Sequence, residues 1–95
     1  MSQHFFTTSL DGENIQVMMG WDRPLGGFFM MVEDLDNQGD DCYLFNNLDE
    51  DDPHPLTLDH YLDVLKTFGV SLPANMVAEV QSDQRNNVGN RVCHY

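Results

Sequence analysis

Thr57-Leu58-Asp59-His60-Tyr61-Leu62-Asp63-Val64-Leu65-Lys66-Thr67-Phe68-Gly69 (residues 57–69) is where the periodicity of the chain changes, and that change decides the fold class. Leu58, Tyr61, Leu62, Leu65 and Phe68 recur at i, i+3, i+4, i+7 and i+10, which places them on one face of a helix. Thr57 suits the N-cap, with Leu56 and Tyr61 at the hydrophobic-staple positions. Asp59 falls where the helix dipole favours an anion, Lys66 where it favours a cation, and Gly69 is a natural left-handed terminator.

Upstream of this helix the pattern is that of strands. Residues 4–9 and 15–19 are rich in aromatic and β-branched types, and Asp11-Gly12 between them predicts a hairpin. Gly20-Trp21-Asp22-Arg23-Pro24-Leu25-Gly26-Gly27 reads as a structured loop, because proline fixes φ and glycine relaxes it. Residues 28–33 are a third strand, 36–40 a turn, and Cys42-Tyr43-Leu44-Phe45 a fourth strand. These connections are too short for parallel crossovers, so the strands form an antiparallel meander. An acidic loop over residues 46–56 follows, kept irregular by Pro53 and Pro55.

Downstream, Pro73 opens a second helix with a thinner apolar stripe of Met76, Val77 and Val80, which frays near Asn86-Asn87 and stops by Gly89. The tail, residues 90–95, has the composition of a short edge strand. The predicted fold is α+β: a four-stranded antiparallel meander followed by two helices packed on one sheet face, ββββαα, in a single domain spanning 1–95.

Composition narrows the function. The chain has 95 residues, with 16 Asp and Glu against 4 Lys and Arg, a net charge of −12. Its pI near 4.2 argues against direct binding to nucleic acid or an anionic membrane, since neutralising phosphate takes Lys and Arg. With 41% apolar and 11% aromatic residues it differs from a disordered acidic tail. No apolar run has the length of a membrane span, and the first residues lack a basic, apolar leader, so the expected compartment is the cytoplasm.

The sheet carries more apolar surface than one covered face requires. Phe28, Met30 and Val32 point one way in the third strand and Phe29 and Met31 the other, and the fourth strand sets Tyr43 and Phe45 against Cys42 and Leu44. Two short helices cover one face, so Phe29, Met31, Tyr43 and Phe45 are the candidate self-association surface unless loops fold over them. Met18, Met19, Met30 and Met31 suit an adaptable contact surface and equally suit a core.

Eleven carboxylates lie from Glu33 to Asp63, and no Lys or Arg occurs between Arg23 and Lys66. Several readings are open. A solvated face needs no partner. Asp49, Glu50, Asp51, Asp52, Asp59 and Asp63 are the candidate contacts to a basic protein surface, as in acidic inhibitors that imitate DNA; Asp59 and Asp63 are one helical turn apart. A divalent-cation site is the third. Asp34-x-Asp36-x-x-Gly39 is similar to the front of an EF-hand loop, but its twelfth position is Phe45 where that motif has a bidentate Glu.

The remaining candidates are weaker. Cys42 and Cys93 lack C-x-x-C spacing and read as free thiols; a zinc site from Cys42, Cys93, His94 and another histidine has suitable donors but no demanding spacing. Trp21 and Arg23 are either a packed lid with a locked turn or a recognition pair, both types being frequent hot spots. Arg85 and Arg91 suit either the acidic centre or a small anion. The chain contains no P-loop, GxSxG, HExxH or dinucleotide fingerprint. The segments Gly20-Trp21-Asp22-Arg23-Pro24-Leu25, Phe28-Phe29-Met30 and Asn87-Val88-Gly89-Asn90-Arg91 resemble a family of short uncharacterised bacterial proteins. That resemblance implies one compact bacterial domain and brings no activity with it. The expectation is therefore a non-catalytic acidic module without cofactor or resident metal, binding a basic protein or a second copy of itself, with a small cation- or anion-binding domain as the alternative.

Overall fold

Asp11 and Gly12 both take positive φ, 51° and 84°, and so form the tight turn that the Asp-Gly pair predicts. The turn joins β1 (Ser2–Leu10) to β2 (Glu13–Asp22), which pair antiparallel from His4↔Met19 to Leu10↔Glu13. β3 (Gly27–Asp34) and β4 (Tyr43–Asn46) extend the meander. A 3-10 turn (Asn47–Asp49) then leads to α1 (Asp59–Phe68), α2 (Ala74–Arg85) and β5 (Arg91–His94). The computed structural model describes residues 1–37 and 42–95; the predicted turn at 36–40 therefore lies partly outside the described residues, as do Gly39, Asp40 and Asp41.

The α+β class stands, but the sheet has five strands and is mixed. Its order is β4-β3-β2-β1-β5, with β5 parallel to β1 in the register Ser2↔Arg91 to Phe5↔His94. The meander accounts for β1 to β4, and the tail joins the far edge. This corrects the purely antiparallel expectation: β5 follows α2, enters the sheet beside Ser2 and runs in the direction of β1.

β2 also continues past the predicted break at Gly20. A Cβ at Gly20 would lie 1.9 Å from the Ser2 carbonyl oxygen and 2.8 Å from the Phe29 ring. Glycine there marks a close backbone approach within a strand, where the sequence suggested a loop. The turn proper is Arg23–Gly26, closed by Gly26 N–H donating to Asp22 O at 2.8 Å and Leu25 N–H to Asp22 Oδ1 at 3.2 Å.

The two helices cover one face. Ile15, Val17, Met19 and Trp21 from β2 and Phe28, Met30 and Val32 from β3 form a buried layer with Leu58 just before α1, Tyr61 and Leu65 of α1, and Met76 and Val80 of α2. α1 begins one residue later than predicted: its N-cap is Leu58 without a side-chain cap bond, and Gly69 (φ 79°) ends it, as expected.

Candidate functional site

Alternation along the strands sends a second set of side chains to the face away from the helices. Register aligns Phe5, Met18 and Met31 across β1, β2 and β3. Met18 and Met31 separate two adjoining hollows. One, of about 330 Å³, is bounded also by Met1, Leu25, Phe29 and Leu48; the other, of about 60 Å³, by Phe5, Gln16, Glu33 and Tyr43. Phe29 is only 4% exposed, because its ring lies over Gly20 in the space a side chain would fill. It forms the floor of the groove, and Tyr43 and Leu48, at 48% and 63%, stand at its margins.

Phe45 departs from the predicted set. A bulge at Val32/Glu33 opposes Phe45 to Val32 and Tyr43 to Glu33, so Phe45 turns to the helix side and meets the Tyr61 ring edge-on, centroids 5.9 Å apart. Met18 and Phe5 take its place on the open face. The alternation Ile15, Val17, Met19 against Gln16, Met18 was the signal available for Met18; nothing in the sequence flagged Leu48 or Met1.

The acidic loop closes one end of the groove. Asn47 is buried, and its Nδ2 donates to the Pro53 carbonyl at 2.7 Å. The Tyr61 hydroxyl donates to the carbonyls of Pro53 (3.2 Å) and Phe28 (3.3 Å), and Phe28 N–H donates to Pro55 O at 2.9 Å. Burial first, then the charges of Asp52 and Glu50, push the Tyr61 phenol well above its ordinary range, so it remains a donor. Gly27 allows this docking, since a Cβ there would lie 2.3 Å from the His54 carbonyl oxygen. His54 borders the groove, and its buried Nδ1 has no hydrogen-bond partner among the described residues.

Asp49, Asp51 and Asp52 of this loop are exposed, and Glu50 is half-buried beside His60 (3.3 Å). Asp59 and Asp63 are exposed on α1 and are not among the groove's lining residues. Asp34 and Asp36, the front of the cation-loop reading, spend carboxylate oxygens on the backbone: Asp36 N–H donates to Asp34 (3.0 Å) and Asn14 N–H to Asp36 (2.7 Å). Glu13 is held above the usual carboxylate range by its hydrogen bond to Asp34 and by that residue's charge.

Trp21 is removed from the recognition pair. It is buried, edge-on to Phe28, with its indole N–H donating to Asn87 Oδ1 at 3.1 Å, and only Arg23 is exposed. Cys42 and Cys93 lie at opposite edges of the sheet, beside β4 and in β5, so neither a shared disulfide nor a shared zinc site is formed. His94 is stacked on Phe5.

A second polar cluster lies under α2. His4 and Asp83 are both fully buried, with Nε2 and Oδ2 2.6 Å apart. His4 Nδ1 faces the Tyr95 hydroxyl at 2.8 Å, and that hydroxyl donates to Glu79. Arg91 donates to Asp83 at 2.8 Å and sits 3.6 Å from Glu79. Burial opposes the ionisation of Asp83, but hydrogen bonds from His4, Ser2 and Arg91 outweigh it and hold the carboxyl below its ordinary range. The cluster ties β5 and α2 to β1, and it occupies Arg91, which the sequence offered to an external anion.

Among the described residues no helix is long and apolar enough to cross a membrane. Comparison of the chain with protein-family models, with curated proteins and with solved structures finds no match.

Proposed function

We propose that this chain is a docking module whose open sheet face receives a basic, amphipathic segment of another protein, in the cytoplasm and without a chemical step. The observation that carries the reading is a methionine-walled apolar groove ending in a loop of exposed carboxylates. Thioether side chains repack around varied apolar surfaces at little cost. Exposed Asp49, Asp51 and Asp52 would steer Lys and Arg toward the groove. Asp59 and Asp63 extend the negative field over α1, where a basic groove that normally holds nucleic acid would also fit.

Charge decides between a foreign partner and a second copy. Two copies would each bring a net charge of −12 to the contact, and like fields across an interface oppose association. A basic segment gains from the same field.

Fluorescence anisotropy with a labelled basic amphipathic peptide tests the proposal. Binding should weaken at least tenfold between about 50 and 300 mM salt as the screening length shortens, and Met31→Asp should abolish it. Salt-independent binding, binding untouched by Met31→Asp, or a stable dimer by light scattering in place of peptide binding would each overturn it.

A further inference from the structure

The buried cluster under α2 brings together side chains able to ligate a metal. Asp83, His4, Tyr95 and Glu79 form a chain with three links: Asp83 to His4 Nε2, His4 Nδ1 to the Tyr95 hydroxyl, and that hydroxyl to Glu79. Both ends are carboxylates. An ionised carboxylate only accepts, so the proton of the first link sits on Nε2. The Tyr95 proton serves the third. The middle link sets His4 Nδ1 2.8 Å from the Tyr95 hydroxyl.

Three ligand types meet at that point. His4 from β1, Glu79 from α2 and Cys93 from β5 each offer a donor atom, and the three donors lie within 4.8 Å of one another. Tetrahedral zinc with one sulfur and two lighter donors sets them about 3.3–3.7 Å apart. Glu79, 42% exposed at the side chain, has room to close the difference. The histidine is also held as a metal ligand should be. Its distal N–H is fixed on a carboxylate at 2.6 Å, which orients the ring. That carboxylate is in turn held by Arg91 and Ser2.

We propose that His4 Nδ1, Glu79 and Cys93 form a zinc-type divalent metal site, with the ion taking the position of the Tyr95 hydroxyl and water completing the coordination. Binding removes the Cys93 thiol proton to solvent, and thiolate and carboxylate neutralise the two charges of the ion. The Tyr95 hydroxyl keeps its proton and turns out. The site draws on three elements and would bind β5 more firmly to the sheet, independently of the open face.

Cobalt(II) titration of the whole chain under reducing conditions tests this, because a thiolate–cobalt bond gives an ultraviolet charge-transfer band and tetrahedral cobalt an intense visible one. The wild type and Cys42→Ser should show both bands at one ion per chain, displaced by zinc. Cys93→Ser should lose the charge-transfer band, and Glu79→Gln, at a half-exposed position that tolerates change, should bind at least tenfold more weakly. Absence of the band in the wild type, its persistence in Cys93→Ser, or unchanged affinity in Glu79→Gln would overturn the assignment.

Discussion

Asp83→Asn isolates the buried contact that fastens the C-terminal strand. The substitution keeps the shape of the side chain but replaces one acceptor oxygen with an NH2 group. Three donors converge on Asp83: His4 Nε2 at 2.6 Å, Arg91 at 2.8 Å and the Ser2 hydroxyl. The amide must therefore turn a donor toward one of them. Arg91, 37% exposed at its side chain, can turn to water, and solvent screens its share of the loss. His4 is fully buried and has no such escape. The cost rests on the His4–Asp83 bond, a charged hydrogen bond worth about 1.5–3 kcal/mol. In a domain of this size about 2 kcal/mol lowers the melting temperature by about 8–16 °C.

The pH dependence has a definite sign. The Asp83 carboxyl lies below its ordinary value of 3.8 in the native state. Its contribution is thus complete above that value and is lost as pH falls through the depressed native pKa. Circular-dichroism melts of wild type and variant should differ most at neutral pH and converge in acid. A variant melting within about 2 °C of wild type at pH 7 would refute this account of how β5 is held.

Gly20→Ala places a methyl 1.9 Å from the Ser2 carbonyl oxygen, a backbone atom that cannot step aside; at about 1–3 kcal/mol or more for overpacking, the chain should melt at least about 5 °C lower, and an unchanged melt would contradict the close approach of β1 and β2. Tyr61→Phe removes the donor shared by the Pro53 and Phe28 carbonyls; it should cost about 1 kcal/mol and speed limited proteolysis within residues 47–55, whereas an unchanged cleavage rate would show that the loop is held otherwise. Glu13 titrates above the ordinary carboxylate range because of Asp34. Its contribution is present at low pH and falls as pH rises through the elevated pKa, so Glu13→Gln should melt at the same or a higher temperature at pH 7, and a clear drop would reverse the sign.

Where local chemistry and tertiary packing agree, the sequence reads correctly. The positive-φ turn at Asp11-Gly12 and the left-handed stop at Gly69 are properties of a few adjacent residues and survive in the fold. Gly20 misleads because glycine marks both a loop and a strand whose neighbour comes too close for a side chain, and only the partner strand decides. Phe45 misleads because a one-residue bulge reverses every later side chain, and that irregularity has no local signature here. Trp21 has hot-spot composition, but its hydrogen-bond partner Asn87 lies 66 residues away and holds it inside. The open face itself was legible from the doubly apolar third strand, whereas the His4–Asp83–Arg91 cluster joins residues too far apart in sequence for spacing to reveal.

The docking claim meets its most direct test in methyl NMR of the chain labelled at methionine, read during titration with a basic amphipathic peptide. Met19, Met30 and Met76 are fully buried on the helix side, while Met1, Met18 and Met31 border the open groove. The methyl signals of Met1, Met18 and Met31 should shift with peptide and return toward their free positions at high salt, with the other three nearly still. Saturating peptide that leaves Met18 and Met31 unmoved, or that perturbs all six alike, would contradict docking on the open sheet face.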